Sequence, residues 1–389
     1  MRKIQFSFFV LLISYASFAQ NFSNKGKDFW LGYGYHVRFV TNGGGGGING
    51  QEMVLYFATE NIPNTTTNIK IEIPALGYVE NITNIPAGTI VTSNSIPKSG
   101  TQDARLTSEG LFTSGIHVTS TRPVVAYTHI FNGNVSGATL LFPTNTLGKE
   151  YYSINYKQVS NEDFSNSFFF VVAADTGATT VEITPAANTQ THAANVPFTV
   201  TLNQGEIYNV MGQLNGGSSG NFTGVDLTGS KIRSISNGNI TCKKIAVFSG
   251  SGKIKISCSN STSSDNIIAQ AFPKSAWGKR FLTAPTQSLP FNYYRIAVSD
   301  PATIVKLNGV IQSGLVNNFY YDFPINDKPQ LIEADQPIMV AQYITTANTC
   351  GNNFIGSLGD PEMIYLSPVE QTIDEVLVNS TMVCSTGLR

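Results

Sequence analysis

Along most of the chain, apolar and polar residues alternate with a period of two. In "TTNIKIEI" (Thr66–Ile73), Ile69, Ile71 and Ile73 alternate with Lys70 and Glu72. Val181 and Ile183 flank Glu182, and Val305 and Leu307 flank Lys306. This is the pattern of a strand with one buried face. Other stretches are continuously apolar, such as "FFFVVAA" from Phe168 and "IAVF" from Ile245. No segment carries a sustained 3.6-residue apolar period with caps, so almost no helix is expected.

These elements recur. "GKDFWLGY" begins at Gly26, "GKEYYSINY" at Gly148 and "GKRFLTAPT" at Gly278. Pro143 and Pro273 each stand five residues before a repeat glycine, behind an apolar run, and "GDPEMIYLSP" (Gly359–Pro368) ends in the same way. The interiors also align: "MVLYFATENIPNTTTNIKIEI", "FFFVVAADTGATTVEIT" and "YRIAVSDPATIVKLNG" each give an apolar strand, a polar turn and an alternating strand. Each copy then closes through "GIHVTSTRPVVAYTH", "GNITCKKIAVFSGS" or "EADQPIMVAQYIT". Pro123 and Pro337 sit at matching strand starts, where a missing N–H is tolerated. Internal repeats dominate the organisation.

The expected fold is all-β: three tandem antiparallel sandwich-like modules over 20–147, 148–277 and 278–368. Residues 369–389 form a tail or open a truncated fourth unit. The alternative is a propeller-like arrangement, in which each module would supply two or more blades.

Composition adds a location. Arg2 and Lys3 precede the apolar "FSFFVLLISYASF", and Ser17 and Ala19 are small residues suited to signal-peptidase cleavage, so residues 1–19 read as a signal peptide. No later apolar run is long enough to span a membrane. Charged residues make up 13% of the chain and the net charge is −1, so no electrostatic footprint for nucleic acid exists. Export makes disulfides plausible for Cys242, Cys258, Cys350 and Cys384. Cys242 and Cys258 flank one strand and form the first suspected pair. Cys350 with Cys384 is the second. Closing the first loop would contribute on the order of 3 kcal/mol.

Candidate chemistry is sparse. The run Gly43–Gly47 lacks the Lys-Ser/Thr and the following helix of a phosphate loop, and unrelated residues fill its place in the other repeats. It reads as a strand connection. His36, His117, His129 and His192 have no metal-ligand spacing, although His36 and His129 could approach a common edge. Glu162 with Asp163, and Asp360 with Glu362, are the nearest acidic pairs. Asp175, Asp265, Asp300 and Asp360 read as turn residues. The aromatic clusters "FWLGYGY", "EYYSINY", "NYYR" and "FYYDF" read as strand packing with some tyrosines left exposed. No catalytic, metal or cofactor residue is assigned, and no cofactor is expected. The leading expectation is a non-enzymatic protein that binds an extracellular protein or glycan through loops on a β scaffold. The alternatives are a secreted glycan-active enzyme and a structural surface or matrix protein.

Three stretches carry a family resemblance. "AVFSGS…SCSNSTSSDNIIAQAFPKSAWGKRF" (Ala246–Phe281), "GDPEMIYLSPVEQTI" (Gly359–Ile373) and the opening "GKDFWLGY" together resemble the N-terminal domain of IgGFc-binding proteins. The resemblance spans about Gly26 to Ile373. It implies a secreted or surface-attached, non-enzymatic binding module. Similar domains occur in secreted proteins of Bacteroidota, whose signal peptides the "SFAQ" ending resembles. The resemblance assigns no contact residues.

Overall fold

The computed structural model describes residues 23–42, 46–218, 220–256, 263–286, 292–325, 328–346 and 359–371. Among them it is all-β, with antiparallel sheets, short 3₁₀ turns and no α-helix. The alternating segments lie where expected: in Thr66–Ile73, buried and exposed positions alternate along the strand.

The sequence repeat is a repeat of sheet topology. In the first sheet a sixteen-residue strand, Ile116–Phe131, is central. Its first half pairs with Lys25–Leu31 and Thr66–Ile73, its second half with Glu52–Thr59 and Ser136–Leu140. Between the halves the register slips opposite Gly26/Asp28, a bulge that bends the strand at Ser120–Pro123. In the third repeat, Leu331–Ile344 pairs first with Gly278–Leu282 and Val305–Leu307, then with Asn292–Val298 and Glu362–Tyr365. The register slips at the equivalent place, between Glu333 and Ile338. In the middle repeat the long strand is interrupted. Lys231–Ile235 pairs with Thr179–Thr184 and Glu150–Tyr152, while Ile245–Ile254 pairs with Ser167–Ala173 and Asp265–Gln270. The inserted residues 236–244 carry Cys242.

The repeated Gly-Lys and Pro positions meet in space. A Cβ on Gly26 would stand 2.1 Å from the Pro143 Cβ, one on Gly148 2.4 Å from that of Pro273, and one on Gly278 2.1 Å from that of Pro368. Each proline opens a 3₁₀ turn, at Thr144–Thr146, Lys274–Ala276 and Val369–Gln371. The start of each repeat is thereby clamped to its end.

The cores cross the repeat boundaries. Every residue of Ser167–Ala173 and of Ile245–Ile254 is buried. On one face Phe168, Phe170 and Phe248 join Phe29, Leu31 and Ile116; on the other Phe169, Val171 and Val247 join Val181, Ile183 and Ile232. Further along, Ile254 and Ile267 pack with Ala297, Met339 and Tyr343 of the third repeat. A sheet covered on both faces needs no polar alternation, which is why "FFFVV" shows none. The first repeat also lends a strand, Gly110–Phe112, to the edge formed by Ile207–Met211. The preceding Glu109 accepts hydrogen bonds from Thr189 Oγ1 (2.8 Å) and the Gln190 N–H (3.0 Å). The repeats are stitched together by exchange of backbone and core.

A groove between three equivalent strands

The closing strands of the three repeats, Ser136–Leu140, Asp265–Gln270 and Glu362–Tyr365, occupy equivalent places beside the second half of their central strands. They lie side by side. The Gln270 N–H donates to Thr139 Oγ1 (3.1 Å), and Gln270 Oε1 accepts from the Phe142 N–H (2.7 Å). The Ser136 N–H donates to the Asp265 carboxylate. Beyond the strands, Phe142 and Phe272 meet at a tilt of 44° with centroids 4.6 Å apart, and Tyr365 meets Phe272 edge-on at 5.9 Å. Tyr365 is fixed by contact of its hydroxyl with Ser249 Oγ (3.2 Å).

Between these strands runs a mainly apolar groove of about 370 Å³, walled by Tyr127, Leu140, Phe142, Phe272, Ile364 and Tyr365. Ile364 is 43% exposed. Glu362 reaches the groove, accepts from the Met363 N–H (2.9 Å), and is pushed above the usual carboxylate range by burial. The groove thus offers apolar walls, aromatic edges and a carboxyl that favours its neutral form. That chemistry suits capture of an apolar side chain.

Asp265 is not a turn residue. It opens the buried strand Asp265–Gln270; burial, reinforced by a hydrogen bond with Asp360, raises its pKa. Asp300 does act on its own turn, accepting from the Ala302 N–H (2.9 Å), whereas Asp175, in a bend, accepts from the remote Lys244 N–H (2.8 Å). Neither neighbouring acidic pair acts as a unit. Glu162 bonds Arg38 and Lys253, whereas Asp163 accepts from the Phe164 N–H; Asp360 turns to Asp265, and Glu362 to Met363.

Each histidine has its own surroundings. His117 lies between Asp28 (3.1 Å) and Glu72 (3.3 Å) and stacks on Trp30 at 4.1 Å. His192 contacts Glu109 (2.9 Å) and stacks on Phe198 at 3.5 Å. His129 stacks on Phe131 and touches the Tyr56 hydroxyl (3.3 Å). His36 is fully buried; its Nδ1 accepts from the Arg38 N–H (3.1 Å), and its Nε2 lies 3.5 Å from the Val135 carbonyl.

Burial pushes the His36 pKa down to about 3, and the nearby Arg38 and Lys253 charges add to the effect. The neutral form is therefore favoured in the fold. Stability is complete above the unfolded value near 6.5 and is lost as pH falls toward the folded value. Glu162 has the opposite origin in the same direction: burial opposes its ionisation, but bonds from Arg38, Thr41 and Lys253 outweigh it and hold it at about 2, so its contribution is lost below about 4.5. Between pH 6.5 and 4.5 His36 acts first. Asp265 and Glu362, held protonated in the fold, titrate in the opposite sense across that window, so the expected result is a difference: the stability of the parent relative to His36→Asn falls by on the order of 2 kcal/mol from pH 6.5 to 4.5 in denaturant unfolding. A difference that stays constant across the window would show that His36 does not titrate there.

The second half of the glycine-rich segment is a compact turn. Gly46 and Gly47 have φ of 134° and 76°, and Asn49, at φ 58°, donates its N–H to the Arg38 carbonyl (2.7 Å). The expected strand connection is what these residues make; Gly43–Gly45 lie outside the described residues. Cys242 is half-buried, its sulfur 3.4 Å from Ser236 Oγ. Cys258, Cys350, Cys384 and the expected signal peptide lie outside the described residues.

Nothing local in the sequence marked the groove. Its one legible trace was the apolar-run-plus-proline boundary, which occurs three times because three equivalent strands build the site. Among the described residues no helix is long and apolar enough to cross a membrane. No curated protein matches the chain. A family profile does, over residues 137–386, more than half of the chain and including every groove wall except Tyr127. The chain belongs to the IgGFc binding protein family, a family of binding proteins that are typically extracellular.

Proposed function

We propose that the chain is a secreted or cell-surface, non-enzymatic adhesion protein that recognises an extracellular protein partner through the groove between the closing strands. The carrying observation is the groove itself. Its apolar and aromatic walls come from the three equivalent strands, the residues just beyond them and Tyr127 of a central strand, and all but Tyr127 fall within the family match. The occupant is an extended segment of the partner that inserts an apolar side chain beside Ile364 and Tyr365, in the manner of an anchor residue in a pocket.

The test uses the immobilised mature protein with the Fc fragment of immunoglobulin G and a set of secreted glycoproteins as probes. Binding of at least one probe is expected, with affinity at least tenfold weaker for Ile364→Asp and an unchanged melting temperature. Equal binding by the variant, or no binding by any probe, would overturn the reading. Modules at 20–147, 148–277 and 278–368 remain part of this proposal, as does cleavage after Ala19. So do the Cys242–Cys258 bridge and, as a second pair, Cys350 with Cys384. Peptide mapping of the secreted protein without reduction is expected to yield an N-terminus at Gln20 and a linked Cys242–Cys258 peptide; a free thiol at Cys242 would remove the bridge.

A further inference from the structure

A second cavity, separate from the groove, has the opposite character. It also measures about 370 Å³, but its lining is polar: Arg38, Asn134, Glu162, Lys253 and Ser264, with Asn161 and Ser263 beside them. It sits where the first and middle repeats join. Arg38 belongs to the 3₁₀ turn Val37–Phe39, Glu162 follows the short strand Val159–Ser160, and Lys253 lies in Ile245–Ile254.

Arg38 is 2% exposed and Lys253 7%. Arg38 Nη1 donates to Thr41 Oγ1 (2.8 Å) and to Glu162. Lys253 Nζ donates to the other carboxylate oxygen of Glu162 (3.0 Å). Two buried cations therefore share one carboxylate, which leaves one positive charge uncompensated in the lining. Asp265, next in sequence to Ser264, does not cancel it, since burial beside Asp360 favours its protonated form. Moreover, Arg38 Nε is buried without a hydrogen-bond partner, and Nη2 makes no bond to a described residue. The Nε–Nη2 edge is one of the two forks by which a guanidinium grips a planar anion. A buried donor left without a partner destabilises the empty site.

We propose that this cavity is a binding site for an acidic sugar residue, one that carries a single carboxylate or sulfate. The anionic group would take the Arg38 Nε–Nη2 edge and the Lys253 ammonium. The amide and hydroxyl groups of Asn134 and Ser264 would meet the sugar hydroxyls. The volume is at the low end of small-molecule sites and suits one ring rather than an extended chain. Lining by amides and hydroxyls, rather than apolar groups, favours a polyol over an acidic peptide.

The experiment is calorimetric titration of the full mature chain with N-acetylneuraminic acid, galactose 6-sulfate, galactose and an N-acetylated glutamate amide. At least one acidic sugar is expected to bind, with galactose at least tenfold weaker; the carboxylate and sulfate arms identify which anion is preferred. Arg38→Lys, which keeps the charge and removes the fork, is expected to weaken binding at least tenfold. Lys253→Met, which keeps the aliphatic stem, is expected to weaken it severalfold and serves if Arg38→Lys fails to fold. No binding by either acidic sugar would overturn the proposal. So would equal binding of galactose, tighter binding of the glutamate derivative, or undiminished binding by a folded variant. Because Ile364 lies outside this cavity, Ile364→Asp is expected to leave acidic-sugar binding intact, so the two sites fail independently.

Discussion

Gly148→Ala is expected to destabilise the protein by about 2 kcal/mol, the cost of overpacking a closed site. The added methyl would stand 2.4 Å from the Pro273 Cβ, well inside contact distance. The glycine has little room to retreat. Its N–H donates to the Tyr151 hydroxyl (2.8 Å), its carbonyl accepts from the Ile245 N–H (3.0 Å), and Tyr151 in turn donates to the Ile245 carbonyl (2.8 Å). Pro273 is held as well, because its carbonyl accepts from the Ala276 N–H (2.8 Å). Pro273→Gly, unlike Pro273→Ala, removes the clashing Cβ, and the double variant Gly148→Ala with Pro273→Gly is expected to cost less than the sum of the singles, since the clash is shared. Gly26 with Pro143 and Gly278 with Pro368 are expected to behave alike. Melting temperatures and denaturant midpoints of the singles and the double check this. A Gly148→Ala protein as stable as the parent would mean that the clamp is loose.

Arg295→Met is expected to cost more, about 3 kcal/mol, the low end of the cost of removing one member of a buried charge cluster, because Asp226 and Asp322 are partly exposed. Arg295 is 1% exposed and lies on the strand Asn292–Val298, where the middle and third repeats meet. Its Nη1 donates to Asp226 (2.6 Å), Thr228 Oγ1 (2.7 Å) and the Asn155 carbonyl (3.0 Å). Nε and Nη2 both donate to Asp322, at 2.7 and 3.3 Å. The plane lies over Tyr156 at 4.7 Å and Tyr320 at 4.3 Å. Asn155 extends the network inward, donating to the Phe168 and Gly250 carbonyls at 2.9 and 2.8 Å. Methionine fills much of the space but strands these acceptors. Arg295→Lys is expected to recover little, because an ammonium has neither the fork nor the flat face. If neutralising both partners with Asp226→Asn and Asp322→Asn restores most of the loss in Arg295→Met, the cost lies in the orphaned charges. A midpoint for Arg295→Met equal to the parent would show that the cluster contributes nothing to the junction.

The two arginines illustrate where sequence reading stops. Arg38 and Arg295 stand alone among unlike neighbours in the sequence. Their partners are remote in sequence: Glu162 for Arg38, Asp226 and Asp322 for Arg295. No period or spacing links such groups, because a charge pair formed between segments far apart in the chain leaves no trace along either one. The same holds for Asp265. A lone aspartate before an apolar run looks like a turn residue, and only its burial in the sheet and the approach of Asp360 from another repeat make it an acid that favours its neutral form.

The sequence by itself determined the β architecture, the threefold repeat and the recurring Gly and Pro positions. These depend on local chemistry: the two-residue period of a pleated strand, the turn preferences of Gly, Asn and Asp, and the missing N–H of proline. The tertiary structure decided what those positions are for. Gly148 must be glycine because Pro273 arrives against it, "FFFVV" loses its alternation because both faces of its sheet are covered, and the groove exists because three equivalent edge strands meet. Each is a contact between segments far apart in the chain, and packing between remote segments is fixed by shape and burial in three dimensions, which no local pattern encodes.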